Sequence, residues 1–263
     1  MATVNKIDEA FAGDRSHLLN VYFTAGFPSL EDTGTILKTL DECGVDFVEI
    51  GMPFSDPIAD GSTIQESNQQ ALENGISIGK LFDQLDEVKG QYSVPVILMG
   101  YLNPVIQYGL ERFCKRCQEA GVSGLILPDL PMHDYLRQYK ELFDSYGLYN
   151  IFLISPQTSD ERIRTIDENS NGFIYMVSSA SITGAKSGIS EDQEAYFNRI
   201  NNMGLKNPRL IGFGISSNET YEKACQYAKG AIIGSAFIKV LKNAEELKPA
   251  IEKFIHSIKT KTS

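Results

Sequence analysis

Glu49 and Asp60 bracket the segment Val48-Glu-Ile-Gly-Met-Pro-Phe-Ser-Asp-Pro-Ile-Ala-Asp-Gly61, two carboxyl groups set around a loop stiffened by prolines. Such a pair suits acid–base work, in which one group carries a proton while the other stays ionised and steadies developing charge. Glu49 ends an apolar run, 46–50, where strand alternation puts Phe47 and Glu49 on one face and Val48 and Ile50 on the other. A carboxylate there is costly unless a partner or a reaction uses it. The plain alternative is that Asp56-Pro57 and Asp60-Gly61 punctuate turns while Glu49 meets a Lys or Arg elsewhere in the chain.

The elements that must hold these groups alternate along the chain. Short β-branched or aromatic runs fall at 20–24, 45–50, 94–99, 124–127, 149–154, 172–177, 209–213 and 230–233. Helical periodicity fills 30–43, 78–88, 104–120, 134–146, 160–167, 191–203, 218–228 and 245–258. Strand–helix alternation repeated about eight times in roughly 250 residues predicts an α/β fold, a single-domain TIM (β/α)8 barrel spanning 1–263. An open doubly wound sheet is the rival, but Thr24-Ala-Gly-Phe-Pro-Ser29 stands where a nucleotide-binding glycine fingerprint would follow the first strand.

Barrels of this kind place their chemistry at the C-terminal ends of the strands, so the residues there form one set. They are Thr24-Ala-Gly-Phe-Pro28, Glu49 with the 56–60 loop, Met99-Gly-Tyr-Leu-Asn-Pro104, Pro128-Asp-Leu-Pro131, a small-residue stretch at 178–188, Gly212-Phe-Gly-Ile-Ser216 and Gly234-Ser-Ala236. Glycine with serine at the last two strand ends predicts a phosphate site made of backbone N–H groups at a helix start. The 178–188 stretch has the make-up of a lid that closes over substrate, or of a mobile surface loop.

Composition narrows the chemistry further. With 24 Lys and Arg against 34 Asp and Glu the net charge is −10, and there is no basic block, which argues against nucleic acid or an anionic membrane as partner. The start of the chain lacks the apolar core of a signal peptide and no run reaches the ~18 apolar residues of a membrane span, so the cytoplasm is the expected compartment. Four scattered cysteines make no disulfide framework. Cys114-Lys-Arg-Cys117 has metal or redox spacing, but it sits in an amphipathic helical pattern with no second ligand pair, so it reads as a helix face and no metal site is expected. His17, His133 and His256 lie in no ligand spacing.

The chain resembles the alpha subunit of tryptophan synthase. The resemblance rests on Tyr22-Phe-Thr-Ala-Gly-Phe-Pro28, Glu49 through Gln65, Tyr101-Leu-Asn-Pro104, Pro128-Asp-Leu-Pro131, Thr183-Gly184, Gly212-Phe-Gly-Ile-Ser216 and Gly234-Ser235. It implies a lyase that cleaves indole-3-glycerol phosphate by a retro-aldol reaction to indole and D-glyceraldehyde 3-phosphate in tryptophan biosynthesis, with no cofactor of its own. It also implies Glu49 and Asp60 as catalytic carboxylates, and Tyr22, Met99, Ile126, Tyr175 and Thr183 as substrate-binding residues. Gly184, Phe213, Gly214, Gly234 and Ser235 would hold the phosphate. Asp56, Pro57, Asn103 and Pro131 would face a pyridoxal-phosphate-dependent beta subunit in an alpha2beta2 heterotetramer. The stretch around Thr183-Gly184 departs from the commoner pattern, carrying Ser181 where many members have Gly and Lys186 where many have Arg.

That reaction explains two separate carboxyl groups. Protonating indole C3 sends positive charge toward the ring nitrogen, while the neighbouring side-chain hydroxyl must lose a proton as it becomes an aldehyde. Asp60, expected ionised, would meet the ring N–H. Glu49, with a raised pKa, would carry protons between hydroxyl and C3. Three alternatives stand beside this reading. An indole-glycerol-phosphate synthase would need a strand-end lysine, and none of the eight runs ends in one. The others are a free-standing indole-producing lyase and a non-catalytic phosphate-binding regulatory subunit.

Overall fold

Among the described residues nine parallel strand segments form one continuous sheet: β1 Leu18–Thr24, β2 Phe47–Gly51, β3 Val96–Met99, β4 Val122–Ile126, β5 Tyr149–Asn150, β6 Leu153–Ile154, β7 Ile174–Val177, β8 Arg209–Gly212 and β9 Gly230–Ile233. The computed structural model describes residues 4–55, 60–177, 190–212 and 214–260. The order β5-β4-β3-β2-β1-β9-β8-β7-β6 leaves β5 and β6 at the two ends. These are the two halves of the run expected at 149–154. Ile151 N–H donates to Leu125 O at 2.8 Å, while Tyr175 N–H donates to Phe152 O at 3.0 Å. One interrupted stave therefore pairs with β4 on one side and β7 on the other. It closes the barrel.

Strand alternation divides the apolar residues into two cores. Leu18, Phe47, Ile97, Ile126, Phe173 and Ile232 fill the barrel, whereas Val48, Ile50, Leu98, Leu125, Met176 and Ile233 pack outward against helices. Glu49 shares the inward face with Phe47, as alternation requires. Cys114 and Cys117 lie buried on the inner face of the helix Leu110–Ala120, where burial pushes the Cys114 thiol up to about 12. Among the described residues no cluster of His, Cys, Asp or Glu could hold a metal, and no helix is long and apolar enough to cross a membrane.

The helices differ from the sequence expectation at points that matter for the mouth of the barrel. The segment expected at 104–120 is two helices, Leu102–Tyr108 and Leu110–Ala120, broken at Gly109 with φ 97°. A further helix, Ser62–Glu73, stands between β2 and Ile78–Glu87 and begins two residues after Asp60. Its apolar face is narrow, with Ile64 and Ala71 buried beside Ser67 and Asn68, so periodicity gave little signal. Ser235–Lys242 follows β9 directly, starting from Gly234. Serine caps set other starts: Ser77, Ser159, Ser190 and Ser217 each accept from the backbone N–H three residues on.

A short helix, Lys6–Ala10, closes the N-terminal end of the barrel. Ile7 is fully buried, and the Phe11 ring stacks at 5.1 Å from Phe47 and 6.0 Å from Phe173. Asn5 Nδ2 donates to Ser123 O and Gly147 O, both at 2.9 Å, and Tyr149 OH donates to Asp8 at 2.6 Å. Substrate access is left to the opposite, C-terminal end.

Candidate active site

Glu49 stands inside the barrel with no exposed surface and no cation beside it among the described residues. Its one hydrogen bond comes from Asn20, whose Nδ2 donates to Oε1 at 2.5 Å; Oε2 has none. Burial pushes its carboxyl up to about 8, and the Asn20 bond pulls the other way. Among the described residues no Lys or Arg meets Glu49, as the plain alternative would require. At neutral pH this group can both hold and release a proton, which is what a general acid–base needs.

Asp60 is carried at the same end of the barrel by the start of Ser62–Glu73. Gln65 Nε2 donates to Asp60 O at 2.9 Å, and Ser67 Oγ lies 2.7 Å from Thr24 Oγ1 at the end of β1, so the helix is tied to the first strand. Burial raises the Asp60 carboxyl to about 6, which leaves it ionised at neutral pH and protonated below. Asp60 lines a small cleft with Tyr22, Met52, Asn68, Met99, Gly100, Tyr101 and Pro128.

Two tyrosines connect the carboxyl groups. The phenols of Tyr22 and Tyr175 are both buried, and each feels the negative charge of both Glu49 and Asp60, which adds to burial in raising its pKa. Glycine makes room for them: a Cβ on Gly51 would fall 2.2 Å from the Tyr22 oxygen, and one on Gly212 2.4 Å from the Tyr175 oxygen. Ile126 lies opposite Met99 in register and is fully buried in the interior core beside Tyr175. Tyr22 and Met99 thus line the cleft, with Ile126 and Tyr175 behind it.

Gly214, in the left-handed region at φ 78°, follows β8, and Gly234 is the residue from which Ser235–Lys242 starts. β8 and β9 are neighbours in the sheet, so these two ends stand side by side. N–H groups at such a helix start attract an anion. Asn103, in the first turn of the helix Leu102–Tyr108 after β3, and Pro131, on the loop after β4, are both exposed. Asp56, Pro57, Thr183, Gly184, Phe213 and the 178–188 stretch with Ser181 and Lys186 lie outside the described residues.

Sequence reading put Tyr101 and Pro128 in the strand-end set without giving them a role, and it singled out none of Asn20, Met52 and Asn68 as site residues. A signal existed for Asn20, a polar residue two positions from Tyr22 in an otherwise apolar strand and so on the same face. Asn68 had none, because its helix was not foreseen. Asp129 proves to be a positioning group: it accepts from Leu102 N–H at 2.9 and 3.0 Å, which ties the loop after β4 to the helix after β3.

Comparison with known proteins gives a consistent result. A family model described as tryptophan synthase alpha chain matches residues 10–262. A tryptophan synthase alpha chain of Christiangramia forsetii is 59% identical over 90% of this chain and 92% of its own length. One of Flavobacterium johnsoniae is 55% identical over 97% and 100%. Among solved structures, tryptophan synthase subunit alpha from Legionella pneumophila superposes with a TM-score of 0.88 at 32% identity, covering 97% of both chains. A tryptophan synthase from M. tuberculosis in its aminoacrylate-bound form gives 0.84 at 26% identity, over 97% of this chain and 98% of that one.

Proposed function

Since this chain belongs to the tryptophan synthase alpha chain family, we propose that its barrel carries out the cleavage of indole-3-glycerol phosphate with Glu49 as the acid–base and Asp60 as the electrostatic partner. The observation that carries this reading is a carboxyl sealed in an apolar barrel, without a cation among the described residues, beside the cleft that Asp60 lines. A buried charge is retained against its cost where a reaction uses it.

In this account the indole ring lies among Tyr22, Met99 and the cleft wall, and Asp60 accepts the ring N–H. Protonation of C3 places positive charge on the ring nitrogen, which ionised Asp60 offsets in a site of low dielectric. The carbon–carbon bond then breaks, its electrons returning to the ring as the side-chain hydroxyl gives up its proton and becomes an aldehyde. Glu49 shuttles one proton out and one in, so the enzyme ends each cycle as it began. No redox step occurs. The phosphate is held by N–H groups at Gly214, Gly234 and Ser235, with Thr183, Gly184 and Phe213 as further members of the site.

The chain works with a beta subunit that carries the pyridoxal phosphate and consumes the indole, in an alpha2beta2 assembly in the cytoplasm. Asn103 and Pro131, with Asp56 and Pro57, form its docking edge, and the 178–188 stretch covers the bound substrate. The alpha chain itself needs no cofactor for a bond cleavage driven by proton transfer.

The test is indole release from indole-3-glycerol phosphate by the purified chain, with and without a beta subunit. Release by the chain alone, raised by the partner, is the expected result. Substrate lacking its phosphate should bind poorly. A chain that releases no indole under either condition would leave only a regulatory role.

A further inference from the structure

We propose that Asn20 is a positioning residue for Glu49: its side-chain amide grips Oε1 from the closed side of the barrel and leaves Oε2 as the oxygen that exchanges protons with the substrate. This rests on the reading of Glu49 as the acid–base.

The geometry is specific. Asn20 lies on β1 opposite Phe47, while Tyr22 lies opposite Glu49, so Asn20 stands one inward-facing step below the carboxyl, away from the mouth. It has no exposed surface. Its Nδ2 donates to Glu49 Oε1 at 2.5 Å and its Oδ1 has no partner. Burying an amide with an unmet acceptor is costly, and among the described residues nothing else uses this one. The bond to Glu49 is the one interaction that accounts for an asparagine at this position.

Two consequences follow for the chemistry. Fixing one carboxylate oxygen removes a rotational freedom that would otherwise have to be lost during reaction. A donor aimed at the carboxylate also favours its ionised form, opposing the burial that favours the protonated one. Among the described residues the titratable groups facing Glu49 are the phenols of Tyr22 on β1 and Tyr175 on β7, each of which also feels Asp60. Its register neighbour on β3 is the apolar Ile97. Among these groups Asn20 is the one that offers the carboxylate a hydrogen bond. Without it, burial acts unopposed.

Asn20→Val and Asn20→Thr form the decisive pair. Both are β-branched and suit a strand, and they differ in a single hydroxyl donor. Ionisation of Glu49 is followed directly by infrared titration of the carboxylic-acid band that disappears in Glu49→Gln, alongside the pH dependence of indole release. Asn20→Val is expected to move the Glu49 midpoint upward by about one pH unit, a tenfold change in its ionisation constant. It should lower kcat about tenfold while KM stays near that of the parent, because Asn20 does not line the cleft. Asn20→Thr should fall between Val and the parent. A folded Asn20→Val protein whose infrared midpoint equals the parent's would overturn the proposal, whatever its activity. A midpoint that moves while Glu49→Gln retains turnover would support the hold of Asn20 on Glu49 and overturn the catalytic reading instead.

Discussion

Two kinds of carboxyl group in this chain are told apart by their partners. Asp41 accepts from Ser93 N–H and Val94 N–H, Asp46 from Leu19 N–H, Asp129 from Leu102 N–H and Asp167 from Lys206 and Asn207 N–H. Those groups hold loops and strand ends. Among the described residues Glu49 accepts from no backbone donor and no cation, only from Asn20, and burial pushes its carboxyl up to about 8. Such a group should weaken the fold when it ionises. A carboxyl with a folded pKa above its unfolded value binds its proton more tightly in the folded state. Its contribution is therefore fully present below the unfolded value, about 4, and lost as pH rises through about 8. Glu49→Gln is accordingly expected to be more stable than the parent at about pH 9, by on the order of a few kcal/mol, with the gap shrinking toward about pH 5. Thermal unfolding across that range checks it, and a difference independent of pH would mean that the burial cost lies elsewhere. The same two groups shape the rate: kcat/KM should show inflections near 6 and near 8, for Asp60 and Glu49. A profile with one carboxyl inflection near 4 would place neither in the apolar site.

Among the strands, glycines decide whether the tyrosines can take their places. A Cβ at Gly51 or Gly212 would meet the oxygen of Tyr22 or Tyr175, whereas one at Gly230 would meet the Leu18 carbonyl at 2.0 Å. The same change should thus have two outcomes. Gly51→Ala and Gly212→Ala are expected to fold and lose about 100-fold in kcat/KM as the rings shift, while Gly230→Ala should lose about 2–3 kcal/mol of stability through backbone strain. Chemical denaturation beside steady-state kinetics separates them. Gly234 behaves differently again, because its added Cβ would lie 3.7 Å from Tyr22, an ordinary contact. Gly234→Ala should keep phosphate affinity and Gly234→Asp should lose it by charge repulsion at the helix start, measured by titration with inorganic phosphate. The strand-end glycines were legible because they fall at the ends of clear apolar runs. The helix Ser62–Glu73 was not, since half its buried face is Ser67 and Asn68, chosen for contacts to Thr24 and to the cleft rather than for apolar packing.

For the molecule as a whole, strand–helix alternation was enough to give the barrel, but not how it is closed. The interruption between Asn150 and Leu153 carries no sequence mark, because Ile151 and Phe152 are as apolar as the strand around them. The plug Lys6–Ala10 escaped notice for another reason: five residues are too few for a helical period. Ile7 is nonetheless fully buried and reaches the interior face at Gly124 and Gly172. Ile7→Ala is expected to cost about 2–4 kcal/mol in equilibrium unfolding while kcat of the folded protein is unchanged, since the plug and the chemistry occupy opposite ends. The central claim concerns the open end. Its most direct measurement is single-turnover indole release from indole-3-glycerol phosphate, bound at saturation, by the parent chain and by Glu49→Gln under identical conditions. The account predicts normal substrate binding and a rate about 10²- to 10⁴-fold lower for Glu49→Gln; release within a few-fold of the parent would contradict it.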